Sequence, residues 1–142
     1  MRISKKIIFG ASLTLVLVGC ASVDPGQVVR PSGTTPYSGN RQALVERGRA
    51  LWTDASIGSS GLACQSCHVN GAQFKDTFKQ AYPHQVAMST NMAGLNEISA
   101  EQMVQFCMIV PMKSEPLPWE SEELAALTAY TVDVAQKEFM AK

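Results

Sequence analysis

The sequence predicts a small all-α domain, and three observations lead there. Two stretches, over residues 41–55 and 121–139, repeat apolar side chains at helical spacing behind a good N-cap. A third such stretch lies between them, and no segment alternates polar and apolar residues well enough to form a strand. In the first stretch Leu44, Val45, Gly48, Leu51 and Trp52 share a face behind Asn40. A glycine on the apolar face of a helix costs about 1 kcal/mol against alanine, so Gly48 is expected to permit a close crossing against Leu127 and Tyr130. The last stretch starts at Ser121 and carries Glu122 and Glu123 in its first turn, where the helix dipole favours acids. Its apolar face is Leu124, Leu127, Tyr130, Val134 and Phe139. Between the two, Ser99-Ala-Glu-Gln102 has the form of a capping box, Met103, Phe106, Cys107 and Val110 follow on one face, and Pro111 stops the helix.

The chain has 142 residues with 12 Lys+Arg and 12 Asp+Glu, a length that suits one domain. No basic run or aromatic-basic interleaving occurs, which argues against nucleic acid as a partner. A content of 46% hydrophobic and 17% charged residues excludes wholesale disorder.

Residues 1–19 have the form of an export signal. Arg2, Lys5 and Lys6 precede the apolar run Ile7–Val18, which is too short to span a bilayer comfortably. The run ends in Leu17-Val18-Gly19-Cys20, which resembles a bacterial lipobox. That resemblance implies cleavage after Gly19 and lipid attachment at Cys20, giving a membrane anchor of several acyl chains. Ala21, rather than Asp, after the cysteine implies the periplasmic face of the outer membrane more than the inner membrane. Removal of 1–19 leaves nine basic against twelve acidic side chains, a net charge of −3. Residues 20–40 follow, holding Pro25, Pro31 and Pro36 with Gly26, Gly33 and Gly39. This composition is expected to make a flexible tether with a reach of about 25 Å, ahead of a domain over 41–142.

The chemistry is concentrated in Cys64-Gln65-Ser66-Cys67-His68. Cys-x-x-Cys-His is the attachment signature of c-type haem: two thiols three positions apart reach the porphyrin vinyl groups, and the adjacent histidine lies beneath the iron as proximal ligand. Three alternatives compete. A thioredoxin-like redox motif needs a βαβ context, and the flanks show none. A zinc site needs a second ligand pair, and only Cys107 and His84 remain. A disulfide leaves His68 unexplained. The single motif implies one covalent haem c, whose burial would fill the middle of a domain otherwise small for a self-sufficient core. The distal ligand is open among Met88, Met92, Met103, Met108, Met112, His84 and Cys107. Met112 lies in a Pro-rich loop 44 residues after His68, and Cys107 precedes it on a helix face. An unpaired thiol in an oxidising compartment is either buried and inert or a ligand, so Cys107 and Met112 lead. Trp52 and Trp119 are expected to pack, and His84 to lie on the surface or in a loop.

With these residues in place, the crossing of the terminal helices beside the haem resembles the class I cytochrome c domain. The segment from Phe106 to Tyr130, with Cys107, Met112, Leu117-Pro118, Glu120-Ser121 and Ala129-Tyr130, resembles the end of a thiosulfate dehydrogenase cytochrome domain. It is similar, more distantly, to the sulfur-oxidising (Sox) cytochrome A subunits, and Tyr82-Pro83 falls where those domains often have an aromatic-Pro. The resemblance implies haem ligation by Cys107; in related methionine-ligated domains the role passes to Met112. Two positions depart from the pattern: Val110 stands where those domains usually have Arg, and Lys113-Ser114 where Asn-Gly commonly follows. Loss of a guanidinium removes an obvious binder of a dianion such as thiosulfate. The sequence therefore predicts a membrane-anchored monohaem cytochrome c passing single electrons to redox partner proteins of the cell envelope. The alternative is a sulfur-compound oxidoreductase, or a subunit of one, using Cys107.

Overall fold

A computed structural model describes residues 22–142. The export signal over 1–19 and the lipidation site Cys20 lie outside the described residues. The described chain is helical, with α1 Pro25–Val28, α2 Arg41–Trp52, α3 Cys64–His68, α4 Ala87–Ala93, α5 Ala100–Ile109, α6 Glu122–Tyr130 and α7 Gln136–Met140. The all-α class is as expected: among the described residues there is no strand, and His84 and Ile98 form a single isolated β-bridge. No described helix is long and apolar enough to cross a membrane.

The N-terminal ends of α2, α5 and α6 lie where their capping residues put them. The Ala43 N–H donates to Asn40 Oδ1 at 3.0 Å, and the Leu124 N–H donates to Ser121 Oγ at 3.2 Å. The Ser99 box closes both ways, with the Gln102 N–H donating to Ser99 Oγ (3.2 Å) and the Ser99 N–H to Gln102 Oε1 (2.8 Å). α6 passes without a break through a π-helical turn, Thr131–Ala135, into α7.

The packing of α2 on α6 is the most extensive between any two helices. Leu44 and Leu51 meet Leu124, Ala126, Leu127 and Ala129 in one buried cluster. Gly48 is the point of closest approach: a Cβ there would lie 2.7 Å from Tyr130 Cβ and 2.8 Å from the carbonyl carbon of Ala126. Tyr130 is thus the expected partner, whereas the other contact is the Ala126 backbone rather than Leu127. α5 has no single apolar face. Phe106 is fully buried with Val23, Val28 and Ile98, while its neighbours Met103 and Cys107 turn toward a cavity.

The expected tether is the principal correction. Residues 22–36 lie on the domain instead of swinging free of it. Val28 is fully buried and Val23 nearly so, and the Val23 N–H donates to the Met92 carbonyl at 2.9 Å. Arg30 pairs with Glu101 at 2.8 Å, donates to the Trp119 carbonyl at 2.7 Å and covers the Trp119 ring. The Pro and Gly count misled because two valines and one arginine in this segment have long-range partners on α4, α5 and the loop before α6. Trp119 accordingly packs, as expected.

Candidate haem site

Four helices and the segment from Phe74 to Met88 converge on one cavity of about 380 Å³, whose walls are overwhelmingly apolar. α3 contributes Cys64, Cys67 and His68, and α5 contributes Met103, Val104, Cys107 and Met108. Trp52 at the end of α2 and Leu127 and Thr131 of the last helix complete one side. The segment from Phe74 to Met88 closes the other with Phe74, Phe78, Tyr82 and His84.

The Cys-x-x-Cys-His segment forms one short helix, so both thiols and the imidazole project from neighbouring turns. His68 Nδ1 lies 3.0 Å from the Ala72 carbonyl. As an N–H donor to that carbonyl the ring is held in the tautomer that leaves Nε2 with a free lone pair. Phe74 stacks on the imidazole at 4.1 Å between ring centroids, and Trp52 lies 5.8 Å away. Burial lowers the His68 pKa, partly opposed by the Ala72 carbonyl, which keeps the ring neutral as metal ligation requires. Cys64, Cys67 and Cys107 are all free thiols, so the disulfide alternative has no counterpart among the described residues. Nor, among those residues, does any group of three or more His, Cys, Asp or Glu side chains converge as a zinc site demands.

The two leading distal candidates part company. Cys107 lines the cavity with His68 and the motif thiols. Burial first, and then the nearby Cys64 and Cys67, push its thiol up to about 12. Burial likewise pushes Cys64 up to about 11. Such thiols stay protonated and unreactive unless a cation compensates the thiolate. Met112 is buried, at 2% exposure, but does not line the cavity. Its carbonyl accepts from the Ser59 and Ser60 N–H groups at 3.0 and 3.1 Å, and Gly58 lies against its backbone and Cβ. The structure therefore does not bring Met112 to His68. Of the other candidates, Met88, Met103, Met108 and His84 line the cavity and Met92 does not.

His84 is a second correction. It is 2% exposed, held in place by reciprocal backbone bonds with Ile98 (3.2 and 3.1 Å) and stacked on Tyr82. Phe74 and Phe78, which no sequence pattern singled out, join Tyr82 in an aromatic wall. Its signal was an aromatic residue at every fourth position after the motif, where the chain has only a short 3-10 turn, Asp76–Lys79, and no α-helix to give the spacing a meaning. One polar atom of this wall, Tyr82 Oη, is buried with no hydrogen-bond partner.

The residues fit a c-type haem. Two free thiols, an imidazole with a committed Nδ1 and a large apolar cavity supply attachment, ligation and a low-dielectric shell. The unpartnered Tyr82 hydroxyl is a polar group that the protein by itself leaves unsatisfied.

Comparison with known proteins agrees. The family model for the SoxA/TsdA cytochrome c domain matches residues 47–140. The L-cysteine S-thiosulfotransferase subunit SoxA of Pseudaminobacter salicylatoxidans is 31% identical over 86 residues, which cover 61% of this chain and 28% of that protein. The chain thus spans under a third of the length of this relative. No solved structure gives a significant match. A cytochrome c domain implies covalently bound haem c and a part in electron transfer or sulfur oxidation. With its helical fold, haem-binding motif and cavity, the chain belongs to the SoxA/TsdA cytochrome c domain family.

Proposed function

We propose that this protein is an exported, lipid-anchored cytochrome with one haem c, carrying single electrons between redox partner proteins of the bacterial cell envelope. In this reading Cys64 and Cys67 would attach the haem, His68 and Cys107 would ligate its iron, and Cys20 would bear the lipid. When bound, the haem supplies a one-electron ferric/ferrous couple. The chain's own residues do the rest. His68 is oriented by the Ala72 carbonyl, and the apolar walls keep water from the centre.

The observation that carries the ligand assignment, common to both readings of function, is Cys107 lining the same cavity as His68, with Met112 locked outside it. Ligation by both His68 and Cys107 would leave a small substrate no open position on the iron. Val110 also lines the cavity where a guanidinium would favour a dianion. Both features favour a carrier over an enzyme. A sulfur-compound oxidoreductase, or a subunit of one, is the second reading. A cysteine at the cavity favours it, as does the relative named as an L-cysteine S-thiosulfotransferase subunit.

Low-temperature EPR with near-infrared spectroscopy on the ferric holoprotein tests the ligand. A low-spin thiolate signature is expected, and a thioether charge-transfer band would return the role to a methionine. Rapid electron exchange unaffected by thiosulfate supports the carrier, and thiosulfate-dependent haem reduction would move the conclusion to the enzyme. Mass spectrometry of the membrane-extracted protein is expected to show a chain starting at acylated Cys20.

A further inference from the structure

Tyr82 and Cys107 line the same cavity, and the Tyr82 hydroxyl is buried there with no hydrogen-bond partner. Burial first, and then the proximity of Cys107, push the Tyr82 pKa up, so the phenol keeps its proton and remains a donor. Packing fixes where that donor lies. The ring stacks on His84 at 4.1 Å and meets Phe78 edge-on at 6.4 Å. His84 is pinned by its backbone pair with Ile98, and Gln136 Nε2 donates to the Phe78 and Gln80 carbonyls at 2.8 Å each. Other donors near the Cys107 sulfur are committed. Cys107 lies well inside α5, where backbone N–H groups serve the helix's own bonds. Beyond it the Val110 N–H donates to the Phe106 carbonyl (2.9 Å) and the Met112 N–H to the Cys107 carbonyl (3.1 Å), while Pro111 has no N–H at all. The Gln80 and Ala81 carbonyls hydrogen-bond the neutral His84 ring, and Thr131 donates to the Leu127 carbonyl at 2.8 Å.

A protonated thiol can do without a donor, but a buried thiolate is costly unless something compensates its charge, and a charge-assisted hydrogen bond is among the stronger ways to do so. We propose that Tyr82 Oη donates a hydrogen bond to Cys107 Sγ when that sulfur ligates the haem iron as a thiolate, which makes Tyr82 a positioning residue for the Cys107 ligand. This inference rests on the ligand assignment made above and holds for the carrier and the enzyme alike. A donor on the sulfur draws electron density away from the iron, so the ferric state loses part of the stabilisation that a bare thiolate gives. Tyr82 thereby raises the reduction potential and holds the sulfur in one orientation.

The test compares the holoprotein with Tyr82→Phe, which deletes the hydroxyl and keeps the ring. Pyridine haemochrome first checks each for covalent haem, and EPR for a thiolate ligand. Resonance Raman then reads the iron–sulfur stretch in H2O and in D2O, and spectroelectrochemistry reads the potential. The expected wild-type stretch shifts in D2O. In Tyr82→Phe the stretch moves to higher frequency, loses its D2O response and is accompanied by a lower potential, while the low-spin thiolate signature persists. Equal stretches, D2O responses and potentials in the two proteins overturn the proposal. A lower potential with no D2O response in the wild type also overturns it, because Tyr82 would then act by packing alone. Should Tyr82→Phe fail to take up haem, 3-fluorotyrosine in place of the chain's three tyrosines carries the comparison. It keeps the ring and makes the phenol a stronger donor, so the potential is expected to rise, and an unchanged potential overturns the proposal. A wild-type haem without a thiolate signature overturns the ligand assignment and this inference with it, before any variant is compared. A wild type without haem overturns the haem reading itself.

Discussion

At the scale of single residues, five positions of sequence separate Cys107 from Met112, and they end in unlike environments. Cys107 is still inside α5 and turns toward the cavity. Met112 lies past the helix end, where its N–H donates to the Cys107 carbonyl at 3.1 Å and its own carbonyl holds the Ser59–Ser60 turn. Both were leading ligand candidates from sequence, because helical periodicity and loop composition say what a residue resembles but not which wall of a cavity it faces. Opposite outcomes are expected on substitution. Cys107→Ala should abolish the low-spin thiolate EPR signature. Met112→Ala should leave that signature intact and instead lower stability by about 2–5 kcal/mol through the cavity it creates, read by urea unfolding of the ferric holoprotein. A methionine signature that disappears in Met112→Ala would reverse the assignment.

At the scale of elements, the α2–α6 crossing depends on the absent side chain of Gly48. Alanine is the better helix former by about 1 kcal/mol, yet its methyl would collide with the Ala126 carbonyl and Tyr130. The collision should win, because both obstacles belong to a packed helix and cannot swing aside. Gly48→Ala is expected to destabilise the holoprotein by about 1–3 kcal/mol in denaturant melts; a stabilised variant would mean that the helices are free to separate. The loop after α5 is held by Gln105, whose amide donates to the Leu117 carbonyl (2.7 Å) while its Oε1 accepts from the Leu117 N–H (2.8 Å). Gln105→Leu would strand both Leu117 groups, at a cost of about 1–3 kcal/mol each if they stay buried, and thermal melting checks it. Asp133, in the π-helical turn, shows a pH effect of known sign. Its pKa lies below the usual 3.8, chiefly because Arg41 hydrogen-bonds the carboxylate at 2.6 Å. A depressed carboxyl pKa stabilises the fold above the unfolded value. That contribution is lost as pH falls through the lower folded value. Arg41→Ala should therefore flatten the loss of stability seen in melts below about pH 4, by a small amount because the Arg41 side chain is mostly exposed and solvent screens the pair.

At the scale of the whole molecule, the docked N-terminal segment changes how the protein would meet a membrane. A free tether of twenty residues would reach about 25 Å. With Val23 and Val28 buried and Arg30 paired to Glu101, only the residues ahead of Val23 remain to span the distance. On the proposed anchoring at Cys20, three residue steps of about 3.3–3.6 Å allow roughly 10 Å between the acylated cysteine and the domain. The α4 end of the domain, where Val23 bonds Met92, would then face the lipid closely. Val28→Asp should release the segment, which limited proteolysis of the holoprotein would report as new cleavage between residues 22 and 36. Equal resistance in both proteins would show that the segment is held without Val28.

The sequence by itself determined the three amphipathic helices seen as α2, α5 and the α6–α7 run, and the haem-binding motif. Each rests on residues within a few positions of one another: Asn40, Ser99 and Ser121 as caps, the apolar spacing behind them, and Cys64-Gln-Ser-Cys-His68. Tertiary structure alone decided that Cys107 rather than Met112 lines the cavity, that His84 is buried against Tyr82, and that residues 22–36 are docked. These outcomes depend on partners far along the chain, such as Arg30 on Glu101 and Ser59 under Met112. Local propensity sets how a segment is shaped, whereas burial and pairing set where it lies, and those are settled only when distant segments pack together.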